Sequence, residues 1–208
     1  MKTLRGRFDF IEEVLGTASG DPEIHAKFIA SKADDAPSLE EEVAALGAEA
    51  VEVEKMTVFP RDEDGDPMMW DYQVKGFFKD ACGVLRKING TACSKVKAYK
   101  KEIDGLLFVE PRKIKIVMPE GGEIGTCQRP LRASTAQGER IALASSETVP
   151  AGSFIDVEIT ILKDDLEDMV KECLAYGKLR GMMQWRNSGK GRFEWWQSGE
   201  IDHRPYAL

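Results

Sequence analysis

Residues 154–162 read Phe-Ile-Asp-Val-Glu-Ile-Thr-Ile-Leu, placing Ile155, Val157, Ile159 and Ile161 on one side and Asp156, Glu158 and Thr160 on the other. Strict alternation of this kind marks a strand with one face in a core and the other in water. The first ten residues repeat the pattern, with Leu4, Gly6, Phe8 and Phe10 alternating with Arg5, Arg7 and Asp9. Two one-sided strands call for an antiparallel sheet with a single covered face. The two segments are predicted to be adjacent central strands of that sheet.

The cover is also legible. From residue 74 to 88, Val74, Phe77, Phe78, Ala81, Cys82, Leu85 and Ile88 recur at spacings of three and four, the stripe of an amphipathic helix. Lys75, Lys79, Arg86 and Lys87 lie off the stripe. A second helix is predicted over 165–177, with Leu166, Met169, Val170, Cys173 and Leu174 on its apolar side. Between the helices, "LLFVE" and "RKIKIVM" (106–118) read as a strand pair or as one strand bent around Pro111, and 119–143 as a long loop rich in Gly, Ser, Thr and Arg. "RFEWW" (192–196) reads as the last strand. A short helix is expected from Pro22, capped by Asp21, then a loop or small exposed helix at Ser38–Leu46 and a turn-rich hinge at "RDEDGDP" (61–67). The order suits an α+β fold of the ferredoxin-like type, an antiparallel sheet with helices on one face. One domain spanning 1–208 is expected, elaborated by long loops.

Charge is unevenly spread. The net charge is −7. Residues 34–66 hold twelve carboxylates against Lys55 and Arg61, whereas 67–145 hold fourteen cations against eight acids and 174–193 five cations and no acid. The acidic insertion at about 34–66, poor in large apolar groups, is expected on the surface. Whole-chain charge therefore says little about binding. No run approaches the roughly 18 apolar residues of a membrane span, and the opening "MKTLRGRFDF" lacks the apolar core of a signal peptide, so a cytoplasmic protein without a membrane partner is expected. Cys82, Cys93, Cys127 and Cys173 form no C-x-x-C pair, and only two histidines are present, which argues for reduced thiols and against a zinc site. No cofactor is expected.

One stretch runs against the acidic total. "GMMQWRNSGKGRF" (181–193) has three glycines and three cations, Arg186, Lys190 and Arg192, with Arg180 just before it. Glycines let backbone N–H groups approach phosphates, and Gln184 and Asn187 suit bases or sugars. A purely structural reading stands beside this one: a helix cap at Gly181 and a turn at Ser188–Gly189. The Walker spacing is missing, so a nucleoside triphosphatase is not indicated. Trp185, Trp195 and Trp196 suit a core or a partner interface better than base stacking.

Four segments in order resemble one known family. They are the opening strand with "VLGT" (14–17), "YQVKGFFKDA" (72–81) with Lys75-Gly76, "VPAGSFIDVEITIL" (149–162), and "GMMQWRNSGKGRF". Together they resemble the RAMP superfamily, the ferredoxin-like RNA-binding proteins of CRISPR systems, and most of all the backbone subunits of type III effector complexes. The likeness covers most of the chain except 30–66 and 88–105. Met183 stands where the family's loop has its second glycine. The resemblance implies binding of single-stranded RNA or a nucleotide by backbone contacts, beside other protein subunits or copies of the same chain. It implies that Lys75, Lys79, Gln184, Arg186, Asn187, Lys190 and Arg192 contact the ligand, with Arg129, Arg132 and Arg140 on a finger laid across it. Some relatives are endoribonucleases that use a histidine or aspartate near the first turn. Asp21 and His25 are the residues here that match, and no partner for either is identifiable, so binding without catalysis is the expectation. The same motif order is similar to that of phage and prophage proteins. This keeps open an alternative, a counter-defence protein that mimics a CRISPR subunit or sequesters a signalling nucleotide.

Overall fold

A computed structural model describes residues 1–19, 56–135 and 138–198, with residues 131–143 described by their backbone. Its elements are β1 (Lys2–Phe10), β2 (Val14–Leu15), β3 (Ala18–Ser19), β4 (Met56–Val58), β5 (Met68–Trp70), α1 (Asp71–Leu85), α2 (Ala92–Lys95), α3 (Tyr99–Leu106), β6 (Leu107–Glu110), β7 (Lys113–Lys115), β8 (Gly125–Thr135), β9 (Gly138–Val149), β10 (Phe154–Ile161), α4 (Glu167–Arg180) and β11 (Phe193–Gln197). Of the described residues, 1–14, 60–123 and 149–198 form one compact unit, and 15–19, 56–59, 124–135 and 138–148 form a second.

The first unit is built on a four-stranded sheet in the order β11-β1-β10-β6, every neighbour antiparallel. β1, α1, β6, β10, α4 and β11 therefore run β-α-β-β-α-β, with the fourth strand beside the first and the third beside the second. That is the ferredoxin-like arrangement. β1 and β10 are the central pair, Leu4 opposite Ile159 and Phe8 opposite Ile155, as their alternation predicts.

One face of the sheet is buried and the other wet. Leu4, Phe8, Phe10, Ile155, Val157, Ile159 and Ile161 are buried, as are Val74, Phe77, Phe78, Ala81, Cys82 and Leu85 of α1 and Met169, Val170, Cys173 and Leu174 of α4. Phe193 of β11 joins the layers, its ring 4.5 Å from that of Phe8 and 4.9 Å from that of Phe77. On the wet face Arg5 pairs with Glu158 at 2.5 Å, Arg7 with Asp156 at 2.7 Å, and Thr3 meets Thr160.

α1 opens at Asp71, whose charge suits the positive end of the helix, and the side chain of Gln73 accepts the Trp70 N–H at 2.7 Å. It stops before the predicted Ile88, which is 54% exposed. The reason is local: the Thr91 hydroxyl reaches the carbonyls of Leu85 and Ile88, and Gly90 turns the chain at a φ of 87°. Thr91 also caps α2 by accepting the Ser94 N–H at 3.1 Å.

Glu172 of α4 completes that cap from outside. Its two carboxylate oxygens accept the N–H groups of Ala92 and Cys93 at 3.1 and 2.9 Å. Burial pushes the Glu172 carboxyl up, but the Cys93 and Ala92 N–H groups and nearby Lys95 outweigh it and hold the group below the usual carboxylate range. Glu172→Gln is therefore expected to lower stability by about 1 kcal/mol at neutral pH. Because the folded value lies below the unfolded one, this contribution is present above the unfolded value and lost as pH falls through the folded one. Urea melts of the two proteins should differ at pH 7 and converge in acid; a constant gap would refute the assignment. In the same layer, Cys82, Cys93 and Cys173 gather from three helices, with 3.7 Å between the Cys93 and Cys173 sulfurs.

Two sequence expectations are corrected. The segments at 106–118 form neither a strand pair nor one bent strand: β6 joins the main sheet beside β10, while β7 pairs with β5. Both alternate, with Leu107, Val109, Ile114 and Ile116 buried, and the Asp71 N–H held on the Arg112 carbonyl at 3.0 Å fixes the chain between them. The expected loop at 119–143 is mostly the β8–β9 hairpin, paired from Gly125↔Thr148 to Thr135↔Gly138. Its Thr, Ser and Ile residues suit strands; Pro119, Gly121 and Gly122 lie in the turn before it, while Gly125 and Gly138 open the two strands and Pro130 sits within β8 opposite Leu143.

That hairpin is the body of the second unit. β9 also pairs with β2 and, in parallel, with β4, and β4 pairs with β3. Thr57 and Ser146 share a hydrogen bond of 2.7 Å, and Glu147 accepts the Phe59 N–H at 2.9 Å. The "RDEDGDP" hinge is a closed turn in which Asp62 accepts the N–H groups of Asp64 and Asp66. The helix expected from Pro22, the segment at Ser38–Leu46, Asp21, His25 and the acidic residues 34–55 lie outside the described residues.

Candidate nucleic-acid interface

The glycine-rich segment begins where α4 ends. Gly181 takes a φ of 74°, and a Cβ placed on it would lie 2.5 Å from the Lys190 carbonyl oxygen. Gly191 takes a φ of 67°, and its Cβ would lie 2.1 Å from the Met182 carbonyl oxygen. The loop crosses itself at these two residues, and the Met182 N–H donates to the Gly191 carbonyl at 2.9 Å. Their missing side chains thus serve chain-on-chain contact, and the structural reading of Gly181 as the helix terminus holds. Met183, standing where the similar family has glycine, adopts glycine's left-handed conformation at a φ of 66°; Trp185 does so at 56°. Side chains in that region are uncommon and cost energy, so the surrounding fold imposes this path.

The cations of the segment are tied down. Arg180 and Arg186 converge on Asp80 of α1, at 3.0 and 3.4 Å, and Arg180 also donates to the Asn187 side chain at 2.6 Å. Lys190 pairs with Glu13. Arg192 reaches Glu12 at 2.7 Å, and its Nε is buried with no hydrogen-bond partner among the described residues. The hydrogen bond to Asp80 raises the Arg180 guanidinium above its ordinary value against the cost of burial. Backbone bonds from Gly191 N to Glu13 O and from Ile11 N to Arg192 O complete the attachment to the end of β1.

The remaining predicted residues fall into two groups. Lys75 and Lys79 lie together on α1 and turn to α3: Lys75 donates to the Asp104 carbonyl at 3.2 Å, and Lys79 pairs with the Asp104 carboxylate at 2.5 Å. Arg129, Arg132 and Arg140 belong to the second unit, on β8 and β9, with Arg132 opposite Ile141 and Arg140 opposite Ala133. Arg129 is buried and donates to the Ser146 hydroxyl at 3.2 Å. Trp195 packs against Phe8, ring centroids 5.1 Å apart, while Trp185 is 38% exposed.

A chain in the cryo-EM structure of type III-B Cmr-beta bound to cognate target RNA superposes with a TM-score of 0.51 at 10% identity, over 93% of this chain and 58% of that one. The fold is shared. The present chain thus spans little more than half the length of that neighbour. The crystal structure of Cmr6 from Pyrococcus furiosus matches with a TM-score of 0.47 at 12% identity, over 94% of this chain and 98% of that one. No protein-family model matches the sequence, and no curated protein matches it. Among the described residues no helix is long and apolar enough to cross a membrane.

Among the described residues, the largest concentration of exposed cations lies outside the positions expected from the sequence. Arg86, Lys87, Lys95, Lys97, Lys100 and Lys101 are all exposed, and no carboxylate occurs between Asp80 and Glu102. The signal of this concentration in the sequence is a run of like charge, distinct from the glycine pattern of 181–191.

Proposed function

We propose that this chain is an RNA-binding protein of the RAMP type that holds a single strand by its phosphates and works beside other subunits or copies of itself. The observation that carries the reading is the fold, a ferredoxin-like sheet similar over 93% of this chain to a chain from a structure bound to target RNA. The motif order at 14–17, 72–81, 149–162 and 181–193 supports the same class. On this reading the second unit is an elaboration of one domain, and its hairpin, with Arg129, Arg132 and Arg140, is the finger. Lys75, Lys79, Gln184, Arg186, Asn187, Lys190 and Arg192 are the proposed contacts of the first unit. The reading is of binding and assigns no catalytic residue.

Because Arg186 and Lys190 already face Asp80 and Glu13, a phosphate arriving there exchanges one anionic partner for another. Such an exchange releases few counterions, and counterion release is what makes binding depend on salt. The full chain is expected to bind mixed-sequence single-stranded RNA at low salt. R186A/K190A is expected to weaken binding several-fold while leaving the slope of log affinity against log salt close to that of wild type. Fluorescence anisotropy over a salt series checks both. A wild-type chain with no affinity for RNA at low salt would falsify the reading.

A further inference from the structure

We propose that the end of α1, α2 and the start of α3 form a second, separate site for the RNA backbone, centred on Lys95, Lys97, Lys100 and Lys101. The proposal rests on the RNA-binding reading for the identity of the polyanion. Its own basis is a contrast within the first unit. The cations of the glycine-rich segment each face a carboxylate, whereas Lys87, Lys97, Lys100 and Lys101 have no ion pair among the described residues.

Three contacts bring the elements that carry these side chains together. The Arg86 guanidinium sits 5.0 Å from the centre of the Tyr99 ring, which brings the end of α1 against the start of α3. Thr91 binds the Leu85 carbonyl at the end of α1 and the Ile88 carbonyl beyond it, and caps α2 with the same hydroxyl. Lys95 and Lys97 line one side of a cavity of about 450 Å³. The acids near that cavity are largely engaged: Lys163 reaches Glu102 at 3.7 Å and Asp165 at 3.0 Å, and Glu172 is bound to the α2 backbone. Asp168 also lines the cavity, and Lys95 lies near enough to Glu172 to lower its carboxyl.

The chemistry favours nucleic acid over protein. Six exposed cations without an intervening acid suit phosphates, whose condensed counterions they displace, while lysine is depleted from protein–protein interfaces. The caps on α2 hold its backbone before any ligand arrives, which reduces the ordering cost of binding. The site is also distant from the glycine-rich segment. It adjoins the start of α4, the segment follows the end of α4, and the 14 residues between span about 20 Å. A strand touching both would run along that helix.

The test is K95A/K97A/K100A/K101A in the full chain, titrated with mixed-sequence single-stranded RNA across a salt series beside wild type and R186A/K190A. Each lost phosphate contact lowers the log–log slope by about 0.7, so the quadruple variant should lose roughly 2 to 3 from its slope with an unchanged melting temperature. K95R/K97R/K100R/K101R, which keeps the charge, should bind with the wild-type slope; a purely structural role for the lysines would not give this pattern. A quadruple alanine variant that keeps the wild-type slope overturns the second site and leaves the RNA reading standing. A wild-type chain that binds no RNA at low salt overturns both, and lysine-dependent binding of an acidic protein in its place would identify the surface as a protein interface.

Discussion

Gly191→Ala is expected to destabilise the protein by about 3 kcal/mol or more and to lower its melting temperature by roughly 10 °C. Two penalties coincide at this residue. Its φ of 67° is unfavourable for any side chain, and the added carbon would stand 2.1 Å from a carbonyl oxygen of backbone, which cannot rotate aside. Gly181→Ala meets the same crossing from the other strand of the loop and should behave alike. The control is Gly76→Ala. Gly76 lies within α1, and a Cβ there meets nothing within 4 Å, so the change should be neutral or slightly stabilising. Differential scanning calorimetry separates the cases; equal melting points for Gly191→Ala and Gly76→Ala would refute the crossing.

Phe193→Ala should cost about 3 to 5 kcal/mol, the range for removing a fully enclosed aromatic side chain. Phe193 is 0% exposed and stands within the helix-covered layer, against Phe8, Phe77 and, at 6.3 Å, Phe10. Gly177 of α4 leaves room for it: a Cβ on that glycine would come within 2.4 Å of the ring. Truncation would leave a hole bounded by β1, α1 and α4, elements too tightly held to collapse into it. Urea denaturation should show a lower midpoint with an unchanged slope. A loss below about 1 kcal/mol would mean that the core rearranges around the gap.

The parts of the fold that the sequence reveals are those in which side-chain periodicity and burial coincide. Ile155 to Ile161 and Leu4 to Phe10 face one core and alternate, so their pairing could be inferred. Val74 to Leu85 recur at helical spacing because one face of α1 is buried. The β8–β9 hairpin offers no such signal, since Ser145, Ser146 and Thr148 pair across strands without an apolar stripe to reveal them. Ile88 misled because it has the right spacing, while the stop is written in Gly90 and Thr91. At the candidate interface the sequence shows that Arg186, Lys190 and Arg192 are close along the chain, but not that Asp80, Glu12 and Glu13 come from far away to meet them. Ion pairing over 100 to 180 residues depends on topology, and composition is blind to it.

The wet face of the sheet has a consequence for how the chain finds its pairing. An alternating apolar face looks nearly the same after a shift of two residues, because Leu4 could meet Val157 almost as well as Ile159. The opposite face breaks this degeneracy. In the observed register Arg5 meets Glu158 and Arg7 meets Asp156. Sliding β1 by two toward the start of β10 would leave Arg7 opposite Phe154 and Thr3 opposite Glu158, sacrificing an ion pair worth some tenths of a kcal/mol and a matched threonine contact. Each term is small, and it adds to the apolar cost of the same slide, which would move Phe8 from Ile155 to Ser153. The exposed charges act as a vernier, sharpening an alignment that the apolar face sets coarsely.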